Sequence, residues 1–89
     1  MDYNTKILIA EDDSKQRAAM KEYLTRTAGV RFVEEAENGE EALIKIERSR
    51  PDVIIVDVWL TKVDGLSLIK QAVKMSYSPE KPPIIIMTS

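Results

Sequence analysis

The sequence predicts an α/β protein built on an open parallel sheet, and two kinds of pattern carry that expectation. Short apolar runs without alternation, Lys6-Ile7-Leu8-Ile9-Ala10 and Val53-Ile54-Ile55-Val56, fit strands buried on both faces. Other stretches repeat apolar residues at helical spacing: Ala19, Met20, Tyr23 and Leu24, then Ala42, Leu43 and Ile46, then Leu68, Ile69, Ala72 and Val73. The elements alternate as β-α-β-α-β-α-β, which implies parallel strands with helices packed on the faces of the sheet.

The first strand ends abruptly in Glu11-Asp12-Asp13-Ser14. Asp13 followed by Gln16 has capping-box spacing, so a helix is predicted to start near Ser14, with Gly29 as its stop. Val30 to Ala36 reads as the second strand, with Phe32 and Val33 as its apolar residues. Asn38-Gly39 is a turn or cap before a second helix that ends ahead of Pro51. The third strand runs into Asp57, and Asp64-Gly65 is a turn and cap before the third helix. Ser76 to Pro83 holds Pro79, Pro82 and Pro83 and reads as a non-helical connection to a fourth strand, Ile84 to Ser89. Residues 1–89 form one domain, with no internal repeat or linker.

Composition narrows the chemistry. A formal charge of −2 is too small to point to nucleic acid or a membrane surface. The apolar runs are far shorter than the ~20 residues that span a bilayer, and Met1-Asp2-Tyr3-Asn4 lacks the blocks of a signal peptide. A soluble cytoplasmic protein is the expectation. With no Cys and no His, any chemistry runs on carboxylates, hydroxyls and lysines.

Those groups stand at strand ends: Glu11 and Asp12 after the first, Asp57 at the end of the third, Thr88 at the end of the fourth. Open parallel sheets bind ligands outside the carboxyl ends of their strands. If the first and third strands are neighbours, three carboxylates converge, and their repulsion calls for a cation. An all-oxygen ligand set selects a hard ion, with Mg²⁺ first in a cytoplasm. A carboxylate beside Mg²⁺ can attack phosphorus, and the Thr88 hydroxyl can donate to a phosphoryl oxygen. Asp57 is the preferred nucleophile because it follows four apolar residues that hold it on rigid backbone.

At these residues the sequence resembles the receiver domains of bacterial two-component systems. The matching segments are Ile7 to Asp13, Ala36 to Leu43, Pro51 to Asp57, Asp64-Gly65-Leu66 and Pro83 to Ser89, in order across essentially the whole chain. The resemblance implies a flavodoxin-like (CheY-like) sheet of order 2-1-3-4. It also implies a response regulator: a Mg²⁺-dependent phosphoacceptor charged by a histidine kinase or phosphotransfer protein, with output by conformational change. Carried over by residue, Glu11 and Asp12 are the acidic pair, with Asp12 the more direct metal ligand. Asp57 is the acceptor, the Trp59 backbone carbonyl completes the metal site, and Thr88 is the switch hydroxyl. Leu60 and Thr61 replace a common methionine and proline, so an altered loop path is expected without lost chemistry. The family's fourth helix, fifth strand with its lysine, and fifth helix have no counterpart up to Ser89. An effector segment beyond Ser89, governing transcription for instance, is one expectation. Association of the bare chain through its exposed fourth strand is another.

Competing readings are weaker. Acidic residues at a helix start can simply cap it, and Asp13 is read that way. A haloacid-dehalogenase-type hydrolase needs a second Asp two residues after the nucleophile, where this chain has Trp59. No glycine follows the first strand to cradle a nucleotide phosphate. A pseudo-receiver, an interaction module without phosphoryl turnover, is the main alternative. Lys45, Lys62, Lys70 and Lys74 read as solvated, and Trp59 as either loop packing or a partner contact.

Overall fold

The computed structural model describes residues 4–75 and 82–88. Most of the proline-bearing connection, residues 76–81, and Ser89 lie outside the described residues. The elements are β1 (Lys6–Ala10), α1 (Ser14–Arg26), β2 (Phe32–Ala36), α2 (Gly39–Ser49), β3 (Val53–Asp57), α3 (Gly65–Lys74) and β4 (Ile84–Thr88). The four strands pair in parallel in the order β2-β1-β3-β4. Ala10 stands opposite both Ala36 and Val56, and Asp57 opposite Thr88, so the carboxyl ends of the strands lie together along one edge.

Both faces of the central strands are buried, which is why their sequences do not alternate. On one face Leu8, Ala10, Ala36, Ile54 and Val56 pack with Ala42 and Ile46 of α2, Leu68 and Ala72 of α3, and Leu60. On the other, Ile7, Ile9 and Val53 pack with Leu24 and Val30. The helix starts follow local chemistry. Asp13, Asn38 and Asp64 each hold extended backbone and accept N–H groups of the first turn, offsetting donors that a helix start leaves unpaired.

Four expectations about element bounds and buried faces need correction. The second strand starts at Phe32, because Val30 tucks under α1 with its N–H on the Leu24 carbonyl at 2.9 Å, and Phe32 is exposed. The first helix ends at Arg26, where Thr27 caps it through the Tyr23 carbonyl, and Gly29 (φ 68°) belongs to the turn beyond. The α1 stripe buries only Leu24 fully; Ala19 and Tyr23 are exposed, since α1 is the only described helix whose residues pack in that face's core and its flank stays open. Val73 is also exposed, because α3 buries the Leu68–Ala72 ridge and Val73 lies one residue round the helix.

Candidate functional site

β1 and β3 are neighbours, so the acidic turn after β1 meets the end of β3. Glu11, Asp12 and Asp57 each offer a carboxylate oxygen, and these oxygens lie within 4.8 Å of one another. Glu11 and Asp57 are buried, while Asp12 is open to solvent.

Backbone N–H groups hold the Glu11 and Asp57 carboxylates in place. The Glu11 N–H donates to the Ala36 carbonyl at 3.0 Å, continuing the β1–β2 ladder by one residue. Its Oε2 accepts the Asp13 N–H at 3.2 Å, and its carbonyl accepts Nη1 of Arg17 at 2.7 Å. Asp13 faces the helix instead: its Oδ1 takes the Lys15 and Gln16 N–H groups at 2.9 and 3.2 Å. Only half of the predicted capping box forms, since the Asp13 N–H goes to Glu11. Burial pushes the Glu11 carboxyl up from 4.5 to about 7, with Asp57 and Asp12 adding to the rise and the Asp13 N–H opposing it. Crowded carboxylates of this kind favour a proton or a cation.

At the end of β3, Oδ1 of Asp57 accepts the Trp59 N–H at 3.0 Å, and the Leu60 N–H reaches the Asp57 carbonyl at 3.2 Å. This tight turn buries Leu60 in the core and leaves Trp59 75% exposed. Two glycines hold the following loop close. A Cβ on Gly65 would lie 2.6 Å from the Asp57 carbonyl oxygen, and one on Gly39 would lie 2.0 Å from the Val63 carbonyl oxygen. The Gly39 N–H donates to the Thr61 carbonyl at 3.0 Å, so the residue in the family's proline position anchors this loop through its backbone.

Thr88 stands beside Asp57 in register, and its carbonyl accepts the Val58 N–H at 3.0 Å. Its hydroxyl donates to the Val56 carbonyl at 3.3 Å. Lys62, Lys70 and Lys74 are exposed as expected, but Lys45 is not merely solvated. It donates to the Glu35 carbonyl and pairs with Glu41 at 3.2 Å, because its helix turn faces the end of β2. Sequence reasoning passed over Arg17 and Glu35, which lie 3.4 Å apart (Nε to Oε1) behind the acidic turn. Nothing in their spacing marks a pair that only the β1–β2 register and the α1 face bring together.

An acidic turn after β1 and an aspartate ending β3, on a sheet of this order, can be compared with known proteins. The model of the response regulator receiver domain matches residues 7–89. A protein-glutamate methylesterase/protein-glutamine glutaminase of Archaeoglobus fulgidus is 32% identical over 84 residues, spanning 94% of this chain and 23% of its own. The probable C4-dicarboxylate response regulator DctR of Bacillus subtilis is 35% identical over 66 residues, 74% of this chain and 29% of its own. The chain thus spans about a quarter of the length of these curated relatives. The chemotaxis response regulator CheY4 of Vibrio cholerae superposes with a TM-score of 0.80 at 36% identity, covering 94% of this chain and 67% of that one. The β1–β3 adjacency that gathers the carboxylates is thus a feature of a known fold, and the chain belongs to the response regulator receiver domain family.

Proposed function

We propose that this chain is a working phosphoacceptor of a two-component system, with Asp57 as the acceptor. The observation that carries this is the meeting of Glu11, Asp12 and Asp57 within 4.8 Å at the carboxyl edge of the sheet. An Asp57 carboxylate oxygen attacks phosphorus of a phosphohistidine on a histidine kinase or phosphotransfer protein. The O–P bond forms as the P–N bond breaks, and the imidazole leaves with the bonding pair. Hard oxygen donors fit Mg²⁺, which takes one or two carboxylates directly and keeps waters elsewhere. Asp12 and Asp57 are the direct ligands in this proposal, with Glu11 behind them and the Trp59 carbonyl completing the set. When bound, Mg²⁺ supplies positive charge against the incoming phosphoryl oxygens. Rotation of Thr88 away from Val56 would let its hydroxyl donate to one of those oxygens.

Output is proposed to pass to an effector segment, for which transcription control is one form, and the cytoplasm is the proposed compartment. Two relatives, in which this region makes up 23% and 29% of the length, support a receiver joined to other domains. The test is labelling with acetyl phosphate and Mg²⁺, followed by mapping of the modified peptide. Label on Asp57 that Asp57→Ala abolishes is the expected result. No label, with beryllofluoride also leaving Trp59 emission unchanged, would mark the chain as a pseudo-receiver.

A further inference from the structure

Within the acidic turn, the backbone carbonyl of Glu11 is held by a side chain that comes from outside the turn. From α1, Arg17 places Nη1 2.7 Å from that carbonyl and Nε 3.4 Å from Oε1 of Glu35, with its side chain only 16% exposed. Glu35 sits on β2 opposite Ile9, one residue before the Ala10–Ala36 pair that ends the ladder. Lys21 Nζ holds its other carboxylate oxygen at 3.3 Å, and Lys45 donates to its backbone carbonyl. A guanidinium therefore spans from the end of β2 to the peptide that joins Glu11 to Asp12.

That peptide sets where both carboxylates point. The Glu11 N–H is fixed on Ala36, so the remaining freedom is rotation of the Glu11–Asp12 peptide plane, and the Arg17 bond opposes it. We infer that Arg17 is a positioning residue for the divalent-cation site, acting through the Glu11 carbonyl, with Glu35 orienting its guanidinium. This rests on the proposed Mg²⁺ role of Glu11, Asp12 and Asp57. Arginine suits the task because its planar fork addresses two acceptors at once from a fixed plane, whereas a lysine brings a point charge. Outer partners of this kind orient ligands without touching the ion.

The test titrates Mg²⁺ into the protein while Trp59 emission is followed, for the parent chain, Arg17→Met, Arg17→Lys and Glu35→Gln. Metal-free melting curves are recorded for each. Arg17→Met is expected to raise the Mg²⁺ dissociation constant roughly 10-fold, the low end of the cost of losing an outer partner. Arg17→Lys should fall between it and the parent, and Glu35→Gln should show a smaller rise. A lowered melting temperature with an unshifted Mg²⁺ constant would show Arg17 to be a structural tie only and overturn the inference. If Arg17→Met does not fold, Arg17→Lys and Glu35→Gln decide by the same criterion. A parent chain that responds saturably while these variants match it sinks this inference alone. A parent chain with no saturable response sinks the Mg²⁺ reading, and this inference with it.

Discussion

Thr88 and Asp57 face each other in register across β4 and β3, yet the Thr88 hydroxyl donates backward to the Val56 carbonyl at 3.3 Å. A bond that long contributes little, at most ~1 kcal/mol. The hydroxyl is thus inexpensive to release toward an oxygen on Asp57. Thr88→Val should leave the urea midpoint nearly unchanged while slowing acetyl phosphate labelling roughly 100-fold, the low end for loss of one such donor. Thr88→Ser should retain most of the rate. Equal labelling rates in the Val variant and the parent would remove Thr88 from the site.

The Glu11 carboxyl is held at about 7 in the fold, above its ordinary 4.5. Between those values the folded chain keeps a proton that the unfolded chain releases, so stability falls as pH rises. The contribution is fully present below about 4.5 and lost as pH passes about 7, the reverse of a salt-bridged carboxylate. At ~1.4 kcal/mol per pH unit the whole effect is at most about 3.5 kcal/mol. Urea midpoints without metal should drop between about pH 5 and pH 8. Glu11→Gln, which cannot ionise, should flatten the curve, and Mg²⁺ should restore stability at the alkaline end. An undiminished slope in Glu11→Gln would assign it to other groups.

Gly39 is the first residue of α2, and a Cβ there would meet the Val63 carbonyl oxygen at 2.0 Å and the Val63 Cβ at 2.6 Å. Neither neighbour is the loose end of a flexible chain. Gly39→Ala should therefore destabilise by ~1–3 kcal/mol through overpacking, despite alanine's better helix propensity. It should also displace the loop that carries Trp59, visible as shifted emission. Denaturation equal to the parent's would show that the two segments separate easily.

β4 pairs only with β3 among the described residues, and Ile84, Ile86 and Met87 are 63%, 42% and 51% exposed. An uncharged apolar edge with open backbone groups invites another strand. The 89-residue chain alone is expected to associate in sedimentation, more so at high concentration. Ile86→Lys should shift it toward monomer, since charge on an edge strand opposes pairing. A parent chain monomeric across the concentration range would refute this.

The element order was legible in the sequence, because short apolar runs bounded by turn residues fit buried strands and 3.6-residue stripes fit helices. The sequence also marked Glu11, Asp12, Asp57 and Thr88 as candidates, through their joint occurrence after apolar strands and the resemblance of the surrounding segments. It could not say which strands are neighbours; that order came with the resemblance, and the register that puts Asp57 opposite Thr88 is tertiary. Boundaries and faces were misread where burial depends on a partner element rather than on local pattern, as at Val30, Tyr23 and Val73. The Arg17–Glu35 tie and the packing of Gly39 on Val63 join residues 18 and 24 positions apart in the chain. Such contacts exist only once α1 lies on the β1–β2 pair and the loop after β3 closes on α2, because long-range proximity leaves no period in the sequence to read.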